Sequence, residues 1–398
     1  MEDLTVTYYQ DDKSLVFVPA GKIDSSNAAG LETEIYDVLD QTPSERIVLD
    51  FAHVEYISSA GLRVILRLLK TCKDTKLINV SASVYEILEM TGFTEMMEVQ
   101  KVFRELSISG CELIGKGAVG SVYKYDAETI VKAFKPGVSL EDIREELDLA
   151  RTVFVLGVPT AIPYDVVKIS DEGWEYGTVF EMLNAMSLGK LMSQGKISLD
   201  DAAKLAMDLL KQINGTHTRS DKIPSAKSIA LGWLKALDGC LPPDQYDKLL
   251  ALITDLPEAD NLIHGDFHMQ NVMYQNGECI LIDMDHICSG HPVFELSALY
   301  NSYVGYSETE HQIIVDFQGI TAEQGEYFWK KCLQLYLDTD DEKVFEDVAR
   351  KLMTISYMRI ASRQLRHGWA VSEKGRRVIE NAKAHLAELL PLVDTLAF

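Results

Sequence analysis

The sequence predicts two folds in one chain: an α/β domain over residues 1–108, and an α+β domain whose two lobes cover residues 109–183 and 184–398. Up to about residue 108, short β-rich runs alternate with segments of helical periodicity, which is typical of helices that cover a sheet. From Cys111 the pattern becomes strand, glycine-rich turn and strand, and after Leu183 most segments have helical periodicity.

The N-terminal domain is predicted from this alternation. Ser26–Gln41 has apolar residues at Leu31, Ile35 and Leu39, which share one helix face, and Ser59–Lys73 has a similar spacing. The predicted strands are Ser14–Ala20, Arg46–Ala52 and Lys76–Ala82, and a third helix is predicted over Ser83–Met90.

The second domain is predicted to begin with a five-stranded sheet that has one inserted helix, Leu140–Phe154. Its strands are Glu112–Ile114, Ser121–Tyr125, Thr129–Phe134, Val166–Ile169 and Tyr176–Met182. In the second lobe, Ser198–Asp201 predicts a helix start, and helical periodicity runs from about Pro292 to the C-terminus. Two short strands, Val272–Tyr274 and Cys279–Ile282, interrupt the helices.

Composition excludes several classes of protein. The chain has 38 basic and 61 acidic side chains, and a net charge of −23 disfavours nucleic acid and anionic lipid as main partners. No run of about 18 apolar residues could span a membrane, and the start MEDLTVTYYQDDK lacks the features of a signal peptide. Six scattered cysteines without a Cys-x-x-Cys pair disfavour a zinc site, so we expect a cytoplasmic protein.

Three glycines, Gly115, Gly117 and Gly120, lie in the run GKGAVGSV. Glycines at this spacing let backbone N–H groups approach phosphates closely. A dinucleotide-binding loop needs a helix directly after it, whereas here a predicted strand, SVYKY, follows. The context favours a phosphate-binding loop between two strands, of the kind that kinases use, over an ordinary hairpin turn.

Lys132 lies on the third predicted strand of this domain, between apolar residues, where it could pair with nucleotide phosphates. Its orienting partner would be a carboxylate on the following helix, for which Glu146 is preferred over Glu145. Lys135 is the alternative candidate for the lysine that pairs with phosphates. The alternative interpretation of Lys132 is a solvated lysine on an edge strand.

The strongest pattern is HGDFHMQN at positions 264–271, which is followed by the hairpin strands and by Asp283. Asp266 could accept the proton of a hydroxyl group and orient it in line with a phosphate, which makes it the candidate catalytic residue. Asn271 and Asp283 could hold Mg²⁺ against the phosphates, because the hairpin between them would bring the two side by side. A single Asp here could be a turn residue, but the order of all these pieces makes that reading improbable.

From about Cys111 onward the chain resembles the aminoglycoside phosphotransferase and choline kinase-like group of protein-kinase-like folds. HGDFHMQN is similar to that group's H-G-D-x-H-x-x-N loop and LIDMDH to its metal-binding segment, while HPVFELS has His291 and Glu295 in place of two acids. The resemblance implies ATP or GTP, Mg²⁺ and a small molecule with a hydroxyl group. It also implies that the backbone at Glu181 and Leu183 holds the adenine.

Residues 1 to about 108 resemble the STAS domains of anti-sigma factor antagonists, through the segment DFAHVEYISSAGL. The resemblance implies that Ser59 is a phosphorylation site at a helix start and that the domain binds a protein partner. This sequence has Ser58 where the family often has Asp, and Asp24 also matches an acidic position of the family. A plain N-cap serine is the alternative for Ser59.

The two resemblances together predict an ATP-dependent phosphotransferase that acts on a hydroxyl group, with a STAS domain for regulation or interaction. Two alternatives stay open: a non-catalytic nucleotide-binding signalling protein, and a kinase that phosphorylates a protein serine such as Ser59. The acidic composition and the family analogy suggest a cationic acceptor, such as an aminoglycoside or choline. Four aromatic residues could line its pocket or pack in the core: Trp233, Tyr300, Tyr303 and Trp329.

Overall fold

The computed structural model describes residues 4–11, 14–117, 119–218 and 222–398, and these fall into two compact units. Unit 1 comprises residues 1–107 together with 166–170, and unit 2 comprises residues 108–165 and 171–398. Each unit buries its own apolar side chains. Within the described residues, no helix combines the length and the apolar character needed to cross a bilayer.

Unit 1 is an α/β unit, as the sequence predicts. Its elements are β1 (Thr5–Asp11), β2 (Ser14–Ile23), α1 (Ala28–Gln41), β3 (Arg46–Asp50), β4 (His53–Ile57), α2 (Ser59–Thr71), β5 (Asp74–Val80), α3 (Ala82–Met90), α4 (Phe93–Met96), β6 (Val99–Lys101) and β7 (Glu105–Leu106). The sheet order is β1-β2-β3-β5-β6, with β4 also paired to β2. Only β1 is antiparallel to its neighbour within this described sheet.

The core of unit 1 lies between this sheet and its helices. Helix α2 buries Leu62, Ile65 and Leu68 on one face, against strand residues such as Ile47 and Leu77. The spacing of these leucines and isoleucines is the reason that the sequence predicts this helix correctly. Burial of this apolar face therefore holds α2, which begins at Ser59, against the sheet.

Unit 2 contains the remaining strands and helices. They are β8 (Glu112–Lys116), β9 (Gly120–Lys124), β10 (Thr129–Phe134), α5 (Leu140–Val155), β11 (Pro163–Ile169), β12 (Tyr176–Glu181), β13 (Met186–Ser187), α6 (Leu188–Ser193), α7 (Leu199–Asn214), α8 (Ala226–Lys235), α9 (Pro243–Thr254), β14 (Leu262–Ile263), β15 (Val272–Gln275), β16 (Glu278–Leu281), β17 (Cys288–Ser289), α10 (Val293–Tyr300), α11 (Gln312–Gln318), α12 (Ala322–Leu337), α13 (Glu342–Arg366) and α14 (Glu373–Leu389). The end of β11 belongs to unit 1, where it pairs in parallel with β7.

Two parts of unit 2 position the candidate site. Strands β8, β9, β10 and β12 form an antiparallel sheet in the order β12-β10-β9-β8. The helical region that follows carries the short antiparallel pairs β14–β17 and β15–β16. A loop between β14 and β15 contains residues 264–271. The α+β class and the helical region after residue 183 agree with the prediction.

Candidate active site

A buried carboxylate fixes the backbone of the loop over residues 264–271. Glu295 on α10 is fully buried and accepts the backbone N–H groups of His264 at 2.5 Å and of Gly265 at 3.1 Å. Burial raises the pKa of Glu295 to about 7, although both N–H groups favour its ionised form. Gly265 has φ +78°, and a side chain there would also overlap the His286 carbonyl oxygen, so glycine is required.

Asp266 is half-buried beside a histidine. Its Oδ2 lies 3.5 Å from His268 Nε2. Burial, the largest influence, acts to raise the pKa of Asp266, but His268, His286 and Arg359 together hold it well below its usual range. The carboxylate is therefore ionised at neutral pH and can accept a proton when a reacting hydroxyl group loses one.

The backbone of Asp266 is tied to a neutral imidazole. His264 is buried, and its Nδ1 accepts the Asp266 N–H at 3.3 Å. Its Nε2 lies 3.2 Å from the Ile282 carbonyl oxygen, to which it donates. Burial lowers the pKa of His264 to about 4, which keeps the ring in the neutral tautomer that both hydrogen bonds require.

The hairpin β15–β16 brings Asn271 and Asp283 to one place. Val272 pairs with Leu281, and the Ile282 N–H donates to the Asn271 carbonyl oxygen at 3.0 Å. Asn271 Nδ2 donates to the Asp266 carbonyl oxygen at 3.1 Å, which leaves the amide Oδ1 free to face a cation. Asp283 has φ +69°, a conformation that non-glycine residues adopt rarely and that is enriched at functional sites.

Lys132 on β10 is surrounded by three carboxylates. Its Nζ lies 2.6 Å from Glu146 Oε1, 3.1 Å from both carboxylate oxygens of Asp285 and 3.9 Å from Asp283 Oδ1. Burial acts to lower the pKa of Lys132, but the three carboxylates raise it above its usual value. Of the two candidate glutamates, Glu146 is the one that contacts Lys132 here. Lys135, the alternative lysine, has its Nζ at 3.4 Å from the Gly117 carbonyl oxygen instead.

The donor set fits a divalent cation. One ammonium group faces three carboxylates, so the cluster has an excess of negative charge. Burial and the charge of Asp285 raise the pKa of Asp283 to about 6. The residues that could hold Mg²⁺ are Asp283 and Asn271, both through oxygen. A set of one or two such ligands plus phosphate oxygens is the arrangement that Mg²⁺ prefers in nucleotide sites.

The glycine run forms the connection between β8 and β9. The Gly117 N–H donates to the Gly120 carbonyl oxygen at 2.9 Å, and Gly115 lies on β8 where the register with β9 shifts. Gly120 must be glycine, because a Cβ there would overlap the Ala133 carbonyl oxygen of β10. Ala118 of this run lies outside the described residues.

Glu181 and Leu183 lie at and just beyond the end of β12. The Glu181 N–H donates to the Ile162 carbonyl oxygen at 2.9 Å, and the Met182 N–H donates to the Glu128 carbonyl oxygen at 2.7 Å. These two backbone N–H groups are therefore already used. Within the described chain the Leu183 N–H has no such acceptor, so it is the N–H group of this segment that could meet a base.

Sequence reasoning missed two residues of this site. Asp285 makes the bidentate contact with Lys132, and its position two residues after Asp283 in the run LIDMDH was the available signal. Arg359 on α13 donates to the Gly265 carbonyl oxygen at 2.9 Å. No local pattern indicates Arg359, because it lies 94 residues away in sequence.

The aromatic residues proposed for an acceptor pocket divide into two groups. Tyr300, Tyr303 and Trp329 are buried and pack on one another or on neighbouring rings, so they belong to the core. Tyr303 also accepts the Met269 N–H with its hydroxyl group, at 3.0 Å. Only Trp233 of the four is partly exposed, and the guanidinium carbon of Arg359 lies 4.9 Å from its ring centre.

Ser59 lies in unit 1 as the first residue of α2 and is exposed. Ser58 before it is the N-cap by backbone geometry, but its side chain makes no capping hydrogen bond, and its Oγ is buried without a partner in the described structure. Asp24, directly after β2, accepts hydrogen bonds from the Ser26 hydroxyl group and backbone N–H, which lower its pKa. It thus shapes the turn before α1.

Comparisons with known proteins agree with both resemblances. The STAS domain model matches residues 5–107, and the model of the phosphotransferase enzyme family matches residues 110–327. The putative anti-sigma factor antagonist BtrV of Bordetella bronchiseptica is 33% identical over 100 residues, which are 24% of this chain and 85% of that protein.

Among solved structures, the ADP-bound aminoglycoside phosphotransferase APH(2'')-Ib is 16% identical, with a TM-score of 0.45 over 79% of this chain and 99% of that one. Amicoumacin kinase hAmiN, in complex with AMP-PNP, Ca²⁺ and Ami, is 16% identical, with a TM-score of 0.47 over 78% of this chain and 95% of that one. On the family models, the chain belongs to the phosphotransferase enzyme family and carries a STAS domain at its N-terminal end.

Proposed function

We propose that this protein transfers the γ-phosphoryl group of ATP, or of GTP, to a hydroxyl group on a small molecule. The observation that carries the proposal is Asp266: a half-buried carboxylate that stays ionised beside His268, on a loop where the Asn271 amide donates to the Asp266 carbonyl oxygen. Family membership supports the reaction class, and the geometry of this chain supports the roles that we propose for its residues.

Nucleotide binding is assigned to the residues around Lys132. Glu146 holds the Lys132 ammonium group in place, and Lys132 would pair with phosphate oxygens. Gly115, Gly117 and Gly120 lie in and beside the β8–β9 turn that would approach the phosphates. The carbonyl oxygen of Glu181 and the N–H group of Leu183 would meet the base. Asn271 and Asp283 would hold Mg²⁺, which when bound neutralises charge on the phosphates.

The transfer itself needs little covalent chemistry from the protein. The oxygen of the acceptor hydroxyl group bonds to the γ-phosphorus while Asp266 accepts the hydroxyl proton. The bond between that phosphorus and the oxygen that bridges it to the β-phosphorus breaks, which releases the nucleoside diphosphate. His264 and Glu295 hold the loop backbone in place, so that the carboxylate is positioned before substrate arrives.

The proposal is tested by replacing the base with its amide. Asp266→Asn should lower kcat by roughly 10²–10⁴ while the affinity for Mg²⁺ and ATP changes little. Turnover is measured as ADP release over a panel of anionic, neutral and cationic hydroxyl compounds. Asp255→Asn, an exposed carboxylate at the end of α9, is the matched control and should behave as wild type. Turnover by Asp266→Asn close to that of wild type would remove Asp266 from the mechanism.

A second acceptor, Ser59, is favoured by its exposure at the first residue of α2. A phosphate group there would meet the free N–H groups and the positive end of the helix dipole. The relative from Bordetella bronchiseptica is described as a putative anti-sigma factor antagonist, so we also assign a protein partner to this domain. The cysteines are all free, which supports a reducing compartment such as the cytoplasm.

A further inference from the structure

Three of the four arginines on helix α13, Arg359, Arg363 and Arg366, follow one another at spacings of four and three residues, so they share one face of the helix. Among the described residues, no carboxylate lies within ion-pair distance of any of their three guanidinium groups. Burial and then the charges of Arg359 and Arg363 lower the pKa of Arg366. This is a concentration of positive charge without salt bridges in a chain whose net charge is −23.

Two of these arginines, Arg359 and Arg363, lie near the candidate catalytic residue. Arg359 Nη2 donates to the carbonyl oxygen of Gly265, directly before Asp266. Arg359 and Arg363 both interact electrostatically with Asp266. The ion pairs of Lys132, in contrast, are with Glu146, Asp283 and Asp285. Arg359 and Arg363 therefore interact with Asp266, whereas the lysine assigned to the nucleotide pairs with other carboxylates.

Aromatic groups contact the guanidinium groups of Arg359 and Arg363. Arg359 lies over the Trp233 ring at 4.9 Å, and Arg363 lies 5.7 Å from the centre of the Trp369 ring. Arg363 Nη1 also donates to the Tyr306 hydroxyl group at 3.1 Å. Within the part of the chain that the structure describes, hydrogen-bond partners take up only one N–H donor of Arg363 and none of Arg366, so most of their donors stay available in the planar geometry that matches a carboxylate or phosphate group.

We propose that the small-molecule acceptor is an anion: a hydroxyl compound whose carboxylate or phosphate group is bound by Arg363 and Arg366 while its hydroxyl group reaches Asp266. The inference rests on the proposed phosphoryl transfer and names the substrate class of that site. Arg359, whose guanidinium already bonds to the loop backbone, is a positioning residue. A cationic acceptor, which composition suggested, would be repelled by these three charges.

The test uses four pyranose sugars that differ mainly in charge: glucose, glucosamine, glucuronate and glucose 6-phosphate. Calorimetry measures their affinity for the full chain saturated with Mg²⁺ and a non-hydrolysable ATP analogue, so that no turnover is needed. At least one of the two anions should bind about tenfold or more tightly than glucose, and glucosamine should bind most weakly. The comparison of glucuronate with glucose 6-phosphate tells whether the group is a carboxylate or a phosphate.

Substitutions then assign the effect to the cluster. Arg363→Gln and Arg366→Gln should each remove most of the preference for anions, whereas Arg366→Lys should keep part of it. Arg350→Gln is the matched control, because Arg350 lies on the same helix but is paired with Glu346 at 3.7 Å. The unfolding midpoint of each variant identifies any that fail to fold. If a glutamine variant fails to fold, the anion preference of Arg366→Lys decides whether the cluster binds the anion.

The outcomes separate this inference from the proposed function. Affinity for glucosamine equal to or greater than that for both anions would overturn the inference, even if phosphoryl transfer to another acceptor is observed. Anion binding that depends on Arg363 and Arg366 and persists in Asp266→Asn supports it. If wild type shows no phosphoryl transfer at all while that binding persists, the proposed function fails and the anion site stands.

Discussion

At the residue scale, His264 illustrates how this site controls protonation. Its imidazole accepts the Asp266 N–H at Nδ1 and donates to the Ile282 carbonyl oxygen from Nε2. A second proton, on Nδ1, would replace an acceptor with a donor and place two N–H groups against each other. Burial already lowers the pKa of His264 to about 4, so the native state favours the neutral ring.

This arrangement predicts a specific loss of stability in acid. The pKa of His264 is lower in the folded state than the ordinary value of about 6.5, so the unfolded chain binds more protons between pH 6.5 and 4, and stability falls as the pH falls through that window. The loss approaches about 3 kcal/mol below pH 4, since one pKa unit corresponds to about 1.4 kcal/mol.

His264→Gln removes this titration but can keep both hydrogen bonds, with its amide nitrogen as donor and its oxygen as acceptor. The stability advantage of wild type over His264→Gln should therefore shrink as the pH is lowered from 7 to 4, as measured by urea unfolding at several pH values. A difference that stays constant over that range would contradict the assigned neutral state.

At the scale of elements, the β8–β9 connection offers a test in which two glycines differ. A Cβ on Gly120 would overlap the Ala133 carbonyl oxygen, whereas a Cβ on Gly117 would lie 3.7 Å from its nearest neighbour, which is ordinary contact. Gly120→Ala should therefore separate β9 from β10 and lower the free energy of unfolding by roughly 1–3 kcal/mol.

Gly117→Ala should leave the unfolding midpoint close to that of wild type and yet weaken ATP binding, because the exposed Gly117 belongs to the turn assigned to the phosphates. Unfolding by urea and ATP binding by calorimetry are measured on both variants. If Gly117→Ala binds ATP as wild type does, the turn is an ordinary hairpin.

The accuracy of prediction from sequence alone differs from one structural element to the next. Helices such as α2 were predictable because their apolar residues recur on one face, and the hairpin β15–β16 because turn residues separate its strands. Strand β4 was missed, because its five residues lie between the predicted strand Arg46–Ala52 and the predicted helix start at Ser59 and were assigned to a connection. Only Val54 and Ile57 of this strand are buried, so its apolar pattern is weak. Local pattern cannot reveal contacts made across the chain, as between Glu295 and His264.

At the scale of the whole molecule, one chain combines a phosphotransferase domain with a domain that exposes a serine at a helix start. Covalent connection keeps two domains at an effective concentration on the order of mM when the linker is short. Phosphorylation of Ser59 could then occur within one molecule or between two, and the rates differ: only the second depends on protein concentration.

The prediction is that the 398-residue chain, given Mg²⁺ and labelled ATP, becomes labelled on Ser59 and that the transfer occurs between molecules. Peptide mapping should find the label in wild type and in Ser83→Ala, an exposed serine in the first turn of α3, but not in Ser59→Ala or in Asp266→Asn. When Asp266→Asn is mixed with Ser59→Ala, the first protein has an intact acceptor and the second an intact base. Label on Ser59 of the mixture therefore demonstrates transfer between molecules.

Two results would contradict this prediction. Label in wild type at a rate independent of protein concentration, with none in the mixture, would instead show transfer within one chain. An unlabelled wild type would leave Ser59 as an ordinary residue at the start of α2.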